Sequence, residues 1–321
     1  MLSYVARRLL GVVPLVLVIS LICFGLMHAA PGGPTGVLAS NPKLDPSDLA
    51  RIRANFGLDR PLAVQYGMWL ERVFLHGDLG YSYVTGEPVL NMIGKRLPAT
   101  LELAGSALLF ALLIGIGVGV LSALRPRSRL DVLLTIGSLM LISIPVFWSG
   151  LMAMMLFSVK WKLLPSAGLH TVGMPFSIID HLRHLVMPSL VLALVFIASW
   201  SRYMRASMAE VLSKDFIDVA RAKGLPPVAV VLKHALRNAA APVLTVVALN
   251  LPLLFTGAII TETVFSWPGM GRLFYEGLLR MDYSRVMGIV LIASFLIAVT
   301  NLVTDCIYGY LDPRIRHADQ A

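Results

Sequence analysis

Charge is scarce in this chain. Asp, Glu, Lys and Arg make up 14% of its 321 residues, hydrophobic residues make up 57%, and the mean hydropathy is +0.78. Soluble domains carry about a quarter charged residues, so this composition excludes an ordinary soluble globule and places the chain in a membrane. Cysteine is nearly absent. Cys23 and Cys306 both fall in apolar runs, which leaves no disulfide framework, no cysteine metal spacing and no redox motif; both read as small buried hydrophobes. Acids are fewer than bases, with a net charge of +9, yet the bases flank apolar runs and lack interleaved aromatics, so nucleic acid is not an expected partner. No G-x-x-x-x-G-K-[ST] motif occurs, so the chain has no phosphate cradle of its own. The long apolar runs hold no Asp, Glu, Lys or Arg at mid-depth; Glu102, Glu262 and Asp305 lie at or near their ends. Ion-coupled carriers place ionisable groups in the membrane interior, so this absence counts against a secondary carrier. An intramembrane enzyme is opposed by the want of a nucleophile with its base or of a complete metal set; no catalytic residue is expected. No internal repeat of roughly 20 to 50 residues is visible.

What the chain does have is six apolar runs long enough for a hydrocarbon core, which takes roughly 20 helical residues. They are Leu9 to Ala30, Leu103 to Leu124, Val132 to Val159, Leu185 to Ser201, Ala239 to Thr261 and Val286 to Thr304. The expected fold is all-α, with six transmembrane helices. Arg7 and Arg8 before the first run suggest a secretory signal, but the run is too long and Pro31 directly follows the small residues, so a retained span is expected. Arg7 and Arg8, then Arg125, Arg127 and Arg129, then the bases from Arg202 to Arg237, mark cytoplasmic segments. Both termini are then inside, with Arg314 and Arg316 on the tail. The expected organisation is a first transmembrane helix over 1–30, an extracytoplasmic insert over 31–98, a core of five further helices over 99–309 and a cytoplasmic tail over 310–321. Within the insert, helices are expected near Asp45 to Asn55 and Leu62 to Leu75.

The longest polar interruption of the second half runs from Glu210 to Pro242. Asp215 and Asp218, three apart, can cap a helix start and favour its free N–H groups. That helix runs to Gly224, a residue suited to the left-handed position that ends a helix; Pro226 and Pro227 then forbid continuation and preset a second one. Val228, Val231, Leu232, Ala235 and Leu236 predict an apolar face on that second helix, with Lys233, His234, Arg237 and Asn238 opposite.

Other residues invite a role. His181 and His184 in H-L-R-H share a helix face and could share a metal, but a third ligand is missing and solvated interface histidines are the preferred reading; no metal site is expected. Pro145, Pro242 and Pro252 can kink their helices, for gating or as packing irregularities. Asn250 and Thr256 could line a polar path or bond between helices. Gly115, Gly117 and Gly119 read as a close-packing face. Ser266 to Arg285 suggests a helix at the outer interface anchored by Trp267.

The loop D-F-I-D-V-A-R-A-K-G, followed by H-A-L-R-N-A and a proline, resembles the cytoplasmic loop of ABC-importer permeases. Aligned on Gly224, Asp218 takes the acidic place of E-A-A-x-x-x-G, Val219 departs from the first alanine and Ala220 matches the second. F-G-L-D-R-P-L-A-V-Q-Y, H-G-D-L-G-Y-S, R-Y-M-R-A-S-M-A-E-V-L and T-E-T-V-F-S-W-P-G-M-G-R-L extend the likeness to the dipeptide and oligopeptide branch over nearly the whole chain. The resemblance implies a type I importer permease of the bacterial cytoplasmic (inner) membrane. Its implied partners are a second homologous permease, two ATPase domains holding ATP and Mg, an extracytoplasmic substrate-binding protein and the lipid bilayer, with no cofactor in this chain. It implies that Asp215, Asp218, Ala220, Ala222, Lys223 and Gly224 couple the loop to an ATPase: small Ala220 and Ala222 for close docking, Asp218 and Lys223 for charged contacts. Nickel, glutathione and haem remain alternative cargoes on the same architecture.

Overall fold

The computed structural model describes residues 2–29, 45, 47 and 57–311. Among them no strand occurs, and the one isolated bridge joins Tyr81 and Pro88. The helix expected near Asp45 to Asn55 falls on residues outside those described, Asp45 and Ser47 apart, and so do Arg314 and Arg316. The described chain divides into two compact units.

The first unit comprises Met1–Ala99 and Pro268–Leu302. It contains α1 (Leu2–Ala29), α2 (Leu62–His76), the start of α3 (Val89–Leu124), α9 (Met270–Leu279) and most of α10 (Tyr283–Leu311). Helix α2 stops at Gly77, whose left-handed backbone lets the N–H groups of Gly77 and Asp78 return to the carbonyls of Val73 and Arg72. It lies against α1, where the Tyr66 hydroxyl meets Ser20 Oγ at 2.9 Å, His28 Nε2 meets Gln65 Oε1 at 2.9 Å, and the Phe24 ring lies tilted against those of His28 and Tyr66. Val16, Val73, Val89, Ile93, Leu273 and Ile289 form the core of this unit. In the loop 77–88 the Ser82 hydroxyl and the Tyr83 N–H both donate to the fully buried Asp282 carboxylate, and burial pushes the Tyr83 phenol up.

The second unit comprises Thr100–Trp267 and Val303–Ala321. Its centre is α6 (Ile178–Leu212), whose Trp200, Met204 and Met208 are wholly buried. Around it pack α4 (Arg129–Ser143), α5 (Val146–Ala153) and α8 (Leu236–Val264), together with the longer part of α3. In lipid these contacts gain little from apolar burial, and close approach and interhelical hydroxyls matter more. Ser106 meets Ser189 at 2.6 Å, Ser138 meets Ser201 at 3.1 Å, and the hydroxyls of Ser207 and Thr304 donate to the carbonyls of Ala239 and Ala248. Gly115 and Gly119 of α3 face α6 directly, whereas a Cβ on Gly117 would meet open space.

Among the described residues four helices are long and apolar enough to cross a membrane, Val89–Leu124, Ile178–Leu212, Pro227–Phe255 and Tyr283–Thr304, or five if the bent pair that follows is one span. The run Val132 to Val159, expected as one span, is a pair of helices bent by 106°. Its cause is Pro145: Ile144 before it is extended, as clash with the proline ring requires, so α4 ends and α5 starts afresh. Beyond α5 the chain continues as a π-helical stretch, Met154–Lys160, whose turns are wider than those of an α-helix. In α1 the apolar stretch is the shorter Val13–Leu26. Pro242 and Pro252 both lie within the continuous α8.

Candidate coupling site

Helix α6 outruns its apolar part and carries the polar sequence R-Y-M-R-A-S-M-A-E-V-L to Leu212, where Ser213 and Lys214 cap it through bonds to the carbonyls of Glu210 and Val211. Helix α7 (Asp215–Ala222) then begins at Asp215 itself. The expected carboxylate cap is not what starts it: Lys214 is the N-cap, without a side-chain hydrogen bond, and Asp215 and Asp218 sit inside the first turn. There they still favour the helix through its macrodipole. Asp218 also receives Arg221 Nη1 at 3.0 Å, an exposed pair that adds little stability.

The helix has two sides. Ile217 is wholly buried and Ala220 nearly so, on the helix that packs against the π-helical segment Val230–Ala235. Phe216, Asp218, Val219, Ala222 and Lys223 point to the open side. Of the two alanines expected to permit close docking, Ala220 is therefore turned toward its own chain and only Ala222 lies outward. Phe216 was not singled out by the sequence, although its place one residue before a buried Ile217 on a short amphipathic helix marks it as outward-facing.

Gly224 has φ +76°, and nothing lies within 4 Å of where its Cβ would be. Left-handed geometry, not crowding, is what selects glycine here. Its N–H returns to the Arg221 carbonyl and closes α7. Pro226 is extended and Pro227 starts a short helix, Pro227–Ala229, that passes through the π-helical segment Val230–Ala235 straight into α8. The second helix of the loop is thus the first turns of a long one. The π-helical turn holds about one residue more than an α-turn, which rotates the inward face. Val230, Ala235, Ala239 and Val243 are buried, while Val228 and Leu232, expected to face inward, are exposed. His234 is half-buried on this segment.

A second constellation was missed by the sequence reading. The Asp131 carboxylate, at the start of α4, accepts Arg205 Nε at 2.6 Å and Arg205 Nη2 at 2.7 Å, the Arg127 N–H at 2.9 Å, and the Ser122 hydroxyl. The local signal was S-R-L-D, since Ser128 caps α4 on the Asp131 N–H.

The histidine pair resolves into separate bonds. His181 contacts the Leu169 carbonyl through Nδ1 at 3.0 Å and Glu102 Oε1 through Nε2 at 2.6 Å, whereas His184 contacts the Asp180 carbonyl through Nδ1. Among the described residues no group of three or more His, Cys, Asp or Glu could hold a metal. Trp267, expected as an interfacial anchor, is wholly buried, with its ring centroid 5.9 Å from that of His181. Asn250 donates to the Val246 carbonyl of its own helix, and the Thr256 side chain is outside those described. Glu262 is wholly buried and accepts the Thr100 hydroxyl at 2.6 Å.

Residues 115–317 match the family model for the binding-protein-dependent transport system inner membrane component, and residues 1–104 match the corresponding N-terminal model. The chain belongs to this family of transport permeases. This permease is 40% identical over 318 residues to the oligopeptide transport system permease protein AppB of Bacillus subtilis (strain 168), covering 99% of this chain and 100% of that one. It is equally 40% identical, over 338 residues, to the dipeptide transport system permease protein DppB of Escherichia coli (strain K12), with 99% of each chain covered. In solved structures, the inward-facing MetNI methionine ABC transporter contains a chain that matches with a TM-score of 0.57 at 18% identity, covering 70% of this permease and 97% of that chain. The fold is that of a type I ABC importer permease.

Proposed function

We propose that this permease is one half of a peptide-conducting channel in an ATP-driven importer of the bacterial cytoplasmic membrane. The names of the two relatives above, oligopeptide and dipeptide permeases alike across nearly their whole length, support short peptides as the cargo. A second homologous permease completes the channel, two separate ATPase domains supply ATP and Mg chemistry, and an extracytoplasmic binding protein delivers peptide and carries most of the selectivity. The basic flanks put both termini and the loop 210–242 in the cytoplasm and the insert 31–98 outside, with six passes if α1 and the bent pair each count as one. The organisation into a first helix over 1–30, insert, core over 99–309 and tail over 310–321 belongs to the same proposal.

The carrying observation is the mounting of α7. One side, through Ile217 and Ala220, grips its own chain; the other side presents Phe216, Asp218, Val219, Ala222 and Lys223; and Gly224 gives the hinge. Asp215 lies in the same first turn and adds charge to the presented end. When the ATPase pair closes, a helix docked in it moves, and α6 and α8 carry that motion into the bundle. The outward-facing state is then favoured by the difference in docking free energy between the two states.

The test is uptake of labelled di- to pentapeptides into liposomes holding the permease with its partner subunits and binding protein. Uptake is expected to require ATP and to survive collapse of ion gradients. Uptake driven by a proton or sodium gradient without ATP would overturn the reading, and so would saturable transport of nickel or haem in place of peptide. Topology has its own check: a Ser213→Cys variant should resist impermeant thiol reagents applied from outside.

A further inference from the structure

One carboxylate, Asp131, holds three segments together about two helical turns from the coupling helix. Its side chain is almost fully buried, at 4% exposure, while that of Arg205 is 39% exposed. A carboxylate offers about four acceptor positions, and all are taken: two by the Arg205 guanidinium in a bidentate grip, one by Ser122 in the last turn of α3, and one by the Arg127 N–H. Arg127 has φ +62°, a left-handed conformation that a side chain disfavours, and the bond to Asp131 holds its N–H in that position. Elsewhere among the described residues α6 meets α3 and α4 through single bonds, Ser106 to Ser189, Ser138 to Ser201 and, at the far end of α6, His181 to Glu102.

Apolar contacts between helices in a bilayer permit small sliding and rotation, whereas a bidentate guanidinium–carboxylate pair fixes both distance and orientation. Arg205 precedes the end of α6, at Leu212, by seven residues, roughly 10 Å along the axis. A displacement of α7 that tilts the end of α6 therefore passes Ser207, bonded to Ala239, and reaches Arg205 before the other links from α6 to α3 and α4. Through Asp131 it is imposed on the turn between α3 and α4.

We propose that Asp131 and Arg205 are positioning residues for transport: they form a strut that transmits movement of the coupling loop to the α3–α4 turn, so that these helices move with α6. The proposal rests on the reading of α7 as the ATPase-docking helix.

The test uses the complete importer in liposomes and measures three quantities: folded complex recovered, ATP hydrolysis stimulated by the binding protein, and peptide imported per ATP hydrolysed. Arg205→Lys keeps the charge and removes the fork. It should assemble and hydrolyse ATP near the wild-type rate while peptide imported per ATP falls about tenfold. The paired variant Asp131→Asn with Arg205→Gln guards against misfolding, because the Asn side-chain oxygen can still accept a bond from Ser122 or the Arg127 N–H and no charge is left unpaired. It should likewise fold, hydrolyse ATP and import poorly. Wild-type import per ATP in either folded variant overturns the proposal, as does a loss of import that only follows the loss of folded complex. If the wild-type complex itself imports without ATP, the reading of the chain as ATP-driven fails and the strut falls with it; ATP-driven wild type with fully coupled variants removes the strut alone.

Discussion

A Cβ on Gly119 would stand 2.5 Å from Met204 Cβ and 2.6 Å from the Ser201 carbonyl oxygen, so α3 and α6 touch there backbone to backbone. No rotamer change can relieve a contact with a carbonyl and a Cβ. Gly119→Val should therefore force the helices apart, at a cost of about 1–3 kcal/mol. Gly117→Val, two residues away in open space, should cost nothing measurable within the fold. Thermal unfolding of the two purified variants in one detergent checks this: equal melting temperatures would contradict the close crossing.

The two sides of α7 predict opposite phenotypes. Ile217→Ala removes a wholly buried side chain and should loosen the loop by about 2–5 kcal/mol, read as faster proteolysis between Glu210 and Pro242. Phe216→Ala removes an outward ring and should leave proteolysis unchanged while weakening association with the ATPase subunits. Faster loop cleavage in Phe216→Ala would mean that its ring packs inward.

The parts of this site that were legible are those set by local backbone chemistry. Gly224 followed by Pro226 and Pro227 dictates a helix end, a left-handed residue and a fresh start regardless of surroundings, and the structure has all three. The π-helical segment Val230–Ala235 carries no residue signature, so a constant period placed Ala235 inward correctly but Val228 and Leu232 inward wrongly, and passed over the buried Val230. Pro145 was visible as a kink site, but a 106° break depends on what packs against each half. Asp131 stood one residue before an apolar run, and Arg205 lies 74 residues beyond it. Only the packing of α4 on α6 makes them partners. Hydropathy likewise puts Glu262 at the end of a run without saying that protein, not water, surrounds it.

Glu262 is wholly buried, so each of its bonds counts. Thr100→Val keeps the shape of the side chain and deletes the hydroxyl that donates to Glu262 Oε1 at 2.6 Å. Leaving a buried acceptor short of a donor costs about 1–3 kcal/mol. The variant should unfold at a lower temperature than wild type, and Thr100→Ser, which restores a donor, should recover part of the difference. An unshifted melting temperature for Thr100→Val would show that the hydroxyl is not a working donor to this carboxylate.

Gly224 separates backbone geometry from packing more cleanly than any other position in the loop. Its φ of +76° disfavours a residue with a Cβ by about 1–2 kcal/mol, yet no atom lies where that Cβ would go. A β-branched residue must therefore act by turning the backbone, not by clashing, and what turns is α7 relative to the start of α8. The spans are untouched, so Gly224→Val should insert and accumulate near normally. Its docking side would meet the ATPase at the wrong angle, and the reconstituted importer should retain ATP hydrolysis while losing most peptide uptake. Gly224→Asn, a residue that enters the left-handed region more readily, should fall between valine and wild type. Wild-type uptake per ATP in the valine variant would make the elbow a passive connector and remove the physical basis for treating α7 as a lever.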